Sequence, residues 1–370
     1  MSGLRMRAAR AMDCRCTLTS HLFAHSVSRH FDYEGEEAFR RAHAAYLRSL
    51  GPAAAAALVA ELDAEARRRA RLEPDARARI AAIAAGWAPA RPELYALEPR
   101  WLDARFAQLA ERARALTSAG APSDALAALE PLGLRQLGGA FAPVYELPVL
   151  SAHFCAALCA ELRLFQASGL PQGRPNSMNR LGLLLAELGF APLLDELVAA
   201  YVRPLAALLF PHAGGASLDS HRAFTVQYRP GADEALAPHY DNAELTLNVC
   251  IGSAREDGGG GAGFEGGELV FGGLNGGGGA PAARLAVEHG IGRAVLHLGA
   301  HMHQALPVTH GERINLVIWC RSEAHRRAHG CPLCGRTDQL LLGAAEPADA
   351  AVGAPAAAVS DEQVAEFMRG

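Results

Sequence analysis

The sequence has no excess of positive charge: 35 basic residues stand against 39 acidic ones, a formal −4 at pH 7. That excludes an overall basic footprint for nucleic acid, although a local patch can hide in an average. No apolar run approaches the roughly 20 residues that a membrane span needs. The longest candidate, Ala53 to Ala60, is too short and leads into a charged helix. Nor is there a dense disulfide framework. The eight cysteines are spread along 370 residues, so an intracellular, reducing compartment is expected, with nuclear, cytoplasmic and organellar locations left open. The glycine runs Gly258 to Gly261 and Gly276 to Gly279 lack the following helix that a nucleotide-cradling loop requires and read as loop tips.

What is present points to a globular protein. Half the residues are hydrophobic, and the length allows one large domain or two modest ones. Residues 1–35 read as a disordered or targeting segment. Arg5, Arg7, Arg10 and Arg15, with Asp13 the only acid before Asp32, give the composition of a transit peptide. Residues 36–140 form an Ala-rich helical N-terminal region, punctuated by Pro52, Pro74, Pro89 and Pro92. Glu61 to Arg69 reads there as a largely exposed helix in an adaptor or support layer, and 118–139 as a looser connection.

Residues 144–221 are expected to be helical support for a β-rich segment after them. Phe154, Leu158, Leu162 and Phe165 recur at helical spacing, as do Leu181, Leu184, Leu185 and Leu188. From 222 to 323 short β-forming runs separated by Gly or Pro predict a double-stranded β-helix, or jelly roll, making the fold α+β. Its last strand, Arg313 to Arg321, would place Ile314, Leu316, Ile318 and Cys320 on one face and Arg313, Asn315, Val317 and Trp319 on the other. Residues 324–370 hold Cys331-Pro332-Leu333-Cys334 and a flexible tail.

His239-Tyr240-Asp241, then His303 and Arg313, carry the chemistry. Two imidazoles and a carboxylate can bind one face of Fe(II) and leave the other positions open. A guanidinium following the second histidine can clamp an organic acid through two parallel N–H bonds. A lone His-x-Asp is weak among 15 histidines, but the order His303-x-x-x-Pro307-Val308-x-x-Gly311-x-Arg313 strengthens it. His301 is a rival for the distal ligand; the spacing to Pro307 and Gly311 favours His303, leaving His297 and His301 as strand or turn histidines. In an unbroken strand His239 and Asp241 would share a face with Leu245, Leu247 and Val249. A bulge or kink near Ala243-Glu244 is therefore expected, to bring the ligands onto the face of Thr246 and Asn248.

These residues, with Phe264 to Leu269, resemble the prolyl-4-hydroxylase-like branch of Fe(II)/2-oxoglutarate dioxygenases. Arg174 to Asn179, Leu218 to Phe224, His239 to Asn248 and the Cys331 to Cys334 motif narrow the resemblance to the 2-oxoglutarate and iron-dependent oxygenase domain-containing protein 2 family, over about Val144 to Cys334. The first 140 residues show no such match. The resemblance implies that His239, Asp241 and His303 bind iron, that Arg313 binds the 2-oxoglutarate C5 carboxylate, and that Tyr228 faces the co-substrate. It further implies hydroxylation coupled to decarboxylation of 2-oxoglutarate to succinate, with O2 consumed and ascorbate assisting.

A protein side chain is the expected substrate. The alternatives are a scaffold or chromatin protein with a weak jelly roll, and an N-methyl demethylase. Substrate selection is expected from the loops at the barrel mouth, such as Arg174 to Asn179 and the Gly-rich stretch before Phe264. Two zinc readings stay open: Cys331 and Cys334 with His325 and His329, and a looser set of Cys14, Cys16, His21 and His25.

Overall fold

The computed structural model describes residues 12–120, 124–137, 143–253, 263–274, 285–338 and 340–342. Both glycine runs lie outside them, as do residues 1–11 and 343–370. No described helix is long and apolar enough to cross a membrane.

Alternation of apolar and polar residues builds the larger of two facing sheets. Its six strands run in the order Arg135–Leu137, Val144–Pro148, Arg293–Leu298, Leu245–Ser253, Arg313–Arg321, Ser220–Tyr228. The outward side chains of Leu245, Leu247, Val249, Ile314, Leu316, Ile318 and Cys320 pack against helices. Among these are Ala152–Ala167, which contributes Phe154, Leu158, Leu162 and Phe165, and Ala104–Ser118. Ser151 caps the first of these helices by accepting a hydrogen bond from the Phe154 N–H at 3.2 Å. The inward face carries Phe224, Val226, Val317 and Trp319 against Ala305 and Leu236.

The smaller sheet has four strands in the order Leu285–Val287, Leu269–Leu274, His301–Ala305, Leu236–His239. Two antiparallel sheets enclosing an interior form the jelly roll. The expected faces of Arg313–Arg321 are found. The larger sheet, however, begins before residue 222 and takes a strand from Val144–Pro148, within the segment expected to be helical support.

The chain passes from the smaller sheet to the larger through Tyr240 to Glu244, which belong to no strand. The expected bulge or kink is thus a complete break. Its backbone is tied at three points. Asp241 N–H donates to the Gly299 carbonyl at 2.9 Å, Gly299 N–H donates to Glu244 O at 3.1 Å, and Glu244 N–H donates to Cys320 O at 3.1 Å. Beneath it the buried Glu244 carboxylate accepts from Arg326 Nε at 2.8 Å and Ser322 N–H at 2.6 Å. Arg321 Nε and Arg326 Nη2 both donate to Asn242 O at 3.1 Å.

Three expectations change. Residues 12–35 are folded: Met12–Cys14 pairs with Leu340–Leu342, and Leu22–Ala24 pairs with Arg29–Phe31. The reading of a disordered start fails there because Leu22, Phe31, Tyr33 and Phe39 close a small core with Leu58 and Leu62. The helix Pro52–Ala70 is not largely exposed, since Glu65 and Arg69 are buried. Arg69 Nη1 donates to Thr17 O and Ser20 O, and its Nη2 donates to His21 O. Leu181 to Leu184 are not helical: a backbone bridge joins Leu184 to Phe224, and only Leu185–Leu188 forms a short helical turn. Gly182 explains the difference. Its φ is +145°, and a Cβ there would lie 1.9 Å from the Thr225 carbonyl oxygen.

Arg326→Leu strips the buried Glu244 of its cation and is expected to cost roughly 3–5 kcal/mol in denaturant unfolding. Arg67→Ala, which breaks an exposed pair with Asp63, should change stability by less than about 0.5 kcal/mol. Small effects from both substitutions would mean that the crossover is held by other contacts.

Candidate active site

Sheet register and the strand break together produce the site. His239 ends the strand Leu236–His239 rather than opening one, and it stands directly opposite His303 on the neighbouring antiparallel strand. Asp241, two residues into the crossover, reaches back between them. His239 Nε2 lies 3.6 Å from Asp241 Oδ1, and His303 Nε2 lies 3.6 Å from Asp241 Oδ2. One donor atom from each residue falls within 4.8 Å of the other two, a spacing suited to a single ion.

The contacts behind these groups fix what they offer. His239 Nδ1 donates to Ala237 O at 2.8 Å, and His303 Nδ1 donates to His301 O at 2.9 Å. Both Nε2 lone pairs therefore point inward. Thr246 Oγ1 donates to Asp241 Oδ2 at 2.6 Å and holds the carboxylate in place. Burial first, then the adjacent His303 ring, pushes the His239 imidazole down to about 3, so it stays neutral and free to ligate. Burial would raise the Asp241 carboxyl, but His303 and His239 together hold it below its ordinary value.

Arg313 lies across the cavity on the larger sheet, paired in register with Tyr228. It is 1% exposed, and its Nε and Nη1 have no hydrogen-bond partner. Burial lowers its pKa, which measures the cost of placing that charge in the interior. The guanidinium sits 4.6 Å from the centre of the Tyr228 ring. Asn179 Nδ2 donates to the Tyr228 hydroxyl at 3.2 Å. Arg313, Tyr228, Asn179, Asp241 and His303 line one inner cavity. Two unpaired buried N–H groups would suit a small organic acid in this cavity, and the two imidazoles and carboxylate would suit a metal ion.

An outer cavity of about 260 Å³ opens on His239. Trp319, Tyr240 and Met178 line it, with His21, His30 and Leu333 from the two ends of the described chain. The Trp319 indole N–H has no partner.

The structure brings His239, Asp241 and His303 together and places Arg313 and Tyr228 on the wall of the same inner cavity. His301 is excluded from the cluster because its Nε2 bonds the Gly272 carbonyl at 2.9 Å. His297 lies closer than expected for a strand histidine, with its ring 4.6 Å from that of His303. The Arg174 to Asn179 loop does reach the outer cavity, through Asn176, Ser177 and Met178. Sequence reading placed Thr246 on the interior face and Asn179 in a mouth loop, but missed their bonds to Asp241 and Tyr228 and the wall formed by Thr17 to His21. Thr246 was signalled by its polar alternation; the wall had no local signal. Neither expected zinc set forms as drawn. His325 and His329 stack on each other at 4.2 Å, while Cys14, Cys16, Cys331 and Cys334 converge.

Comparison with known proteins gives consistent matches. The OGFOD2-like domain matches residues 83–215. Human 2-oxoglutarate and iron-dependent oxygenase domain-containing protein 2 is 42% identical over 337 residues, covering 89% of this chain and 90% of its own. The Danio rerio protein of the same name is 34% identical over 332 residues, covering 89% and 91%. Human multifunctional procollagen lysine hydroxylase and glycosyltransferase LH3 is 29% identical over 191 residues, 47% of this chain and 23% of its own. A crystal structure of a Pseudomonas putida prolyl-4-hydroxylase is 21% identical, covering 49% of this chain and 88% of that one with a TM-score of 0.32. The likeness thus reaches well before Val144, correcting the expectation that the first 140 residues match nothing.

Thr246→Val removes only the bond to Asp241. It should weaken Co(II) or Fe(II) binding by roughly 10- to 100-fold, measured by anaerobic titration, while the unfolding midpoint stays near wild type. Unchanged metal affinity would show that Asp241 needs no such orientation.

Proposed function

The chain belongs to the 2-oxoglutarate and iron-dependent oxygenase domain-containing protein 2 family, a group of Fe(II)/2-oxoglutarate-dependent dioxygenases, and we propose that it hydroxylates a side chain of a protein substrate. His239, Asp241 and His303 would hold the iron, and Arg313 with Tyr228 would hold the far carboxylate of 2-oxoglutarate. The observation carrying this reading is the buried Arg313 guanidinium, whose Nε and Nη1 have no hydrogen-bond partner, in the inner cavity that the three donors also line. Iron supplies the oxidative step. The chain's residues supply position and exclusion of water.

The balance is fixed by this chemistry. One oxygen of O2 enters the substrate C–H bond as a hydroxyl, and the other enters succinate as 2-oxoglutarate loses CO2. Burial keeps the His239 Nε2 unprotonated, and the Thr246 hydroxyl donates to Asp241 and orients its carboxylate. An acid bound in the inner cavity would give Arg313 Nε and Nη1 the hydrogen-bond partners they lack.

The outer cavity supports a side-chain substrate. Its volume of about 260 Å³ lies below the roughly 300–1,000 Å³ of pockets for whole drug-sized molecules. A net charge of −4 gives no broad attraction for nucleic acid. The similarity to a procollagen lysine hydroxylase over 47% of this chain points the same way.

Arg313→Met should raise the 2-oxoglutarate concentration for half-saturation about a hundredfold, from losing roughly 3 kcal/mol of charge-assisted hydrogen bonding. With 18O2, ascorbate and a peptide library, the wild type should place one labelled oxygen on a peptide side chain for each succinate formed. Turnover stimulated instead by N-methylated substrates, with formaldehyde released, would replace hydroxylation by demethylation.

A further inference from the structure

Four cysteines from opposite ends of the sequence meet away from the proposed iron site. Cys14 lies at the end of the strand Met12–Cys14, opposite Leu340, and Cys16 begins a single helical turn. Cys331 and Cys334 occupy a tight turn after the helix Glu323–His329. Cys14 Sγ is 3.6 Å from Cys334 Sγ, and Cys16 Sγ is 3.7 Å from Cys331 Sγ. All four sulfurs lie within 4.8 Å of one another. A disulfide would need about 2.05 Å. Four thiolates at about 2.3 Å from a tetrahedral ion stand about 3.8 Å apart, close to the spacing found.

The surroundings suit such an ion. Cys14, Cys16 and Cys331 are buried, and the cluster they form with Leu333 and Leu340 is too small to hold two chain ends by apolar contact. A three-residue pair of strands is not stable alone. The Leu333 N–H donates to Cys331 Sγ at 3.4 Å, and Gly335 N–H closes the turn onto Cys331 O at 2.8 Å. Arg69 lies near enough to interact electrostatically with Cys16, Arg326 with Cys331, and Arg336 with Cys14 and Cys334. Because each also pairs with a carboxylate (Glu65, Glu244 and Asp338), these guanidiniums offset only part of the charge of a tetrathiolate.

We propose that Cys14, Cys16, Cys331 and Cys334 bind one zinc ion as a tetrathiolate that staples residues 14–16 to residues 331–334. Zinc is the divalent ion that takes four thiolates in closed structural sites. The staple also shapes the outer cavity. Thr17, Ser20 and His21 follow Cys16, Leu333 lies between Cys331 and Cys334, and all four line that cavity. Arg69 holds the carbonyls of Thr17, Ser20 and His21 from the other side. That the staple forms a wall of the substrate site rests on the proposed function; the zinc site itself does not.

The test is metal analysis of the full chain, wild type beside His303→Ala and a Cys16→Ser/Cys331→Ser double variant. Wild type and His303→Ala should each keep one zinc per chain after mild chelation that removes iron, and titration with an organomercurial should release it as four thiols react. Co(II) exchanged into His303→Ala should show intense sulfur-to-cobalt charge transfer. The double variant should lose the zinc, and hydrogen exchange should rise over residues 14–33 while the strand Arg313–Arg321 stays protected. Should the double variant not fold, wild type and His303→Ala decide alone. Folded wild type without zinc, disulfides joining Cys14 to Cys334 and Cys16 to Cys331, or iron in the tetrathiolate would each overturn the assignment. An oxygenase without iron binding but with this zinc would sink the functional reading and leave the staple standing.

Discussion

The site depends on how the chain is held as it crosses between sheets at Tyr240 to Glu244. A continuous strand would send His239 and Asp241 toward the helices with Leu245 and Leu247. The break lets His239 finish one sheet, Asp241 turn inward, and Thr246 and Asn248 begin the interior face of the other. The buried Glu244–Arg326 pair and the Asn242 carbonyl, which accepts from two guanidiniums, fix that break. Buried ion pairs are poor stabilisers compared with well-packed apolar groups, but they are costly to break. A pair placed here favours one path of the crossover over its alternatives.

Gly299 shows how little room the crossover leaves. A Cβ at that position would stand 1.9 Å from the Ala243 carbonyl oxygen and 3.1 Å from that of Asp241. The turn after Arg293–Leu298 must therefore be bare for the Asp241 backbone to pass. The same turn leads into His301–Ala305, so one contact sets the spacing of Asp241 and His303 together. Of the two expected roles for the N-terminal helices, adaptor or support layer, their contacts fit support. Arg69 and Glu65 lock the Thr17 to His21 segment and reach Arg174, whose loop carries Asn176 and Asn179 to the cavities.

Much of the jelly roll was legible because strand alternation is a local signal. Arg313–Arg321 alternates without interruption, and both of its faces follow from the sequence. His239, Asp241, His303 and Arg313 were readable because their spacing repeats a known chemical order. The Leu181 to Leu188 spacing misled, since Gly182 needs a backbone conformation that periodicity cannot express. Glu61 to Arg69 looked like a solvated charged face; the carbonyls that bury Arg69 lie about fifty residues away in sequence. The cysteine cluster was split into two local half-sites, because sequence spacing cannot bring residue 14 to residue 334.

The central claim is that His239, Asp241, His303 and Arg313 act as one iron and 2-oxoglutarate centre. The most direct measurement is anaerobic addition of Fe(II) and then 2-oxoglutarate to the purified chain, following the weak visible band from charge transfer between metal and co-substrate. A band in the wild type that is abolished in His303→Ala and weakened in Arg313→Ala is the predicted result. A folded, iron-loaded wild type that gives no band, or a band indifferent to both substitutions, would contradict it.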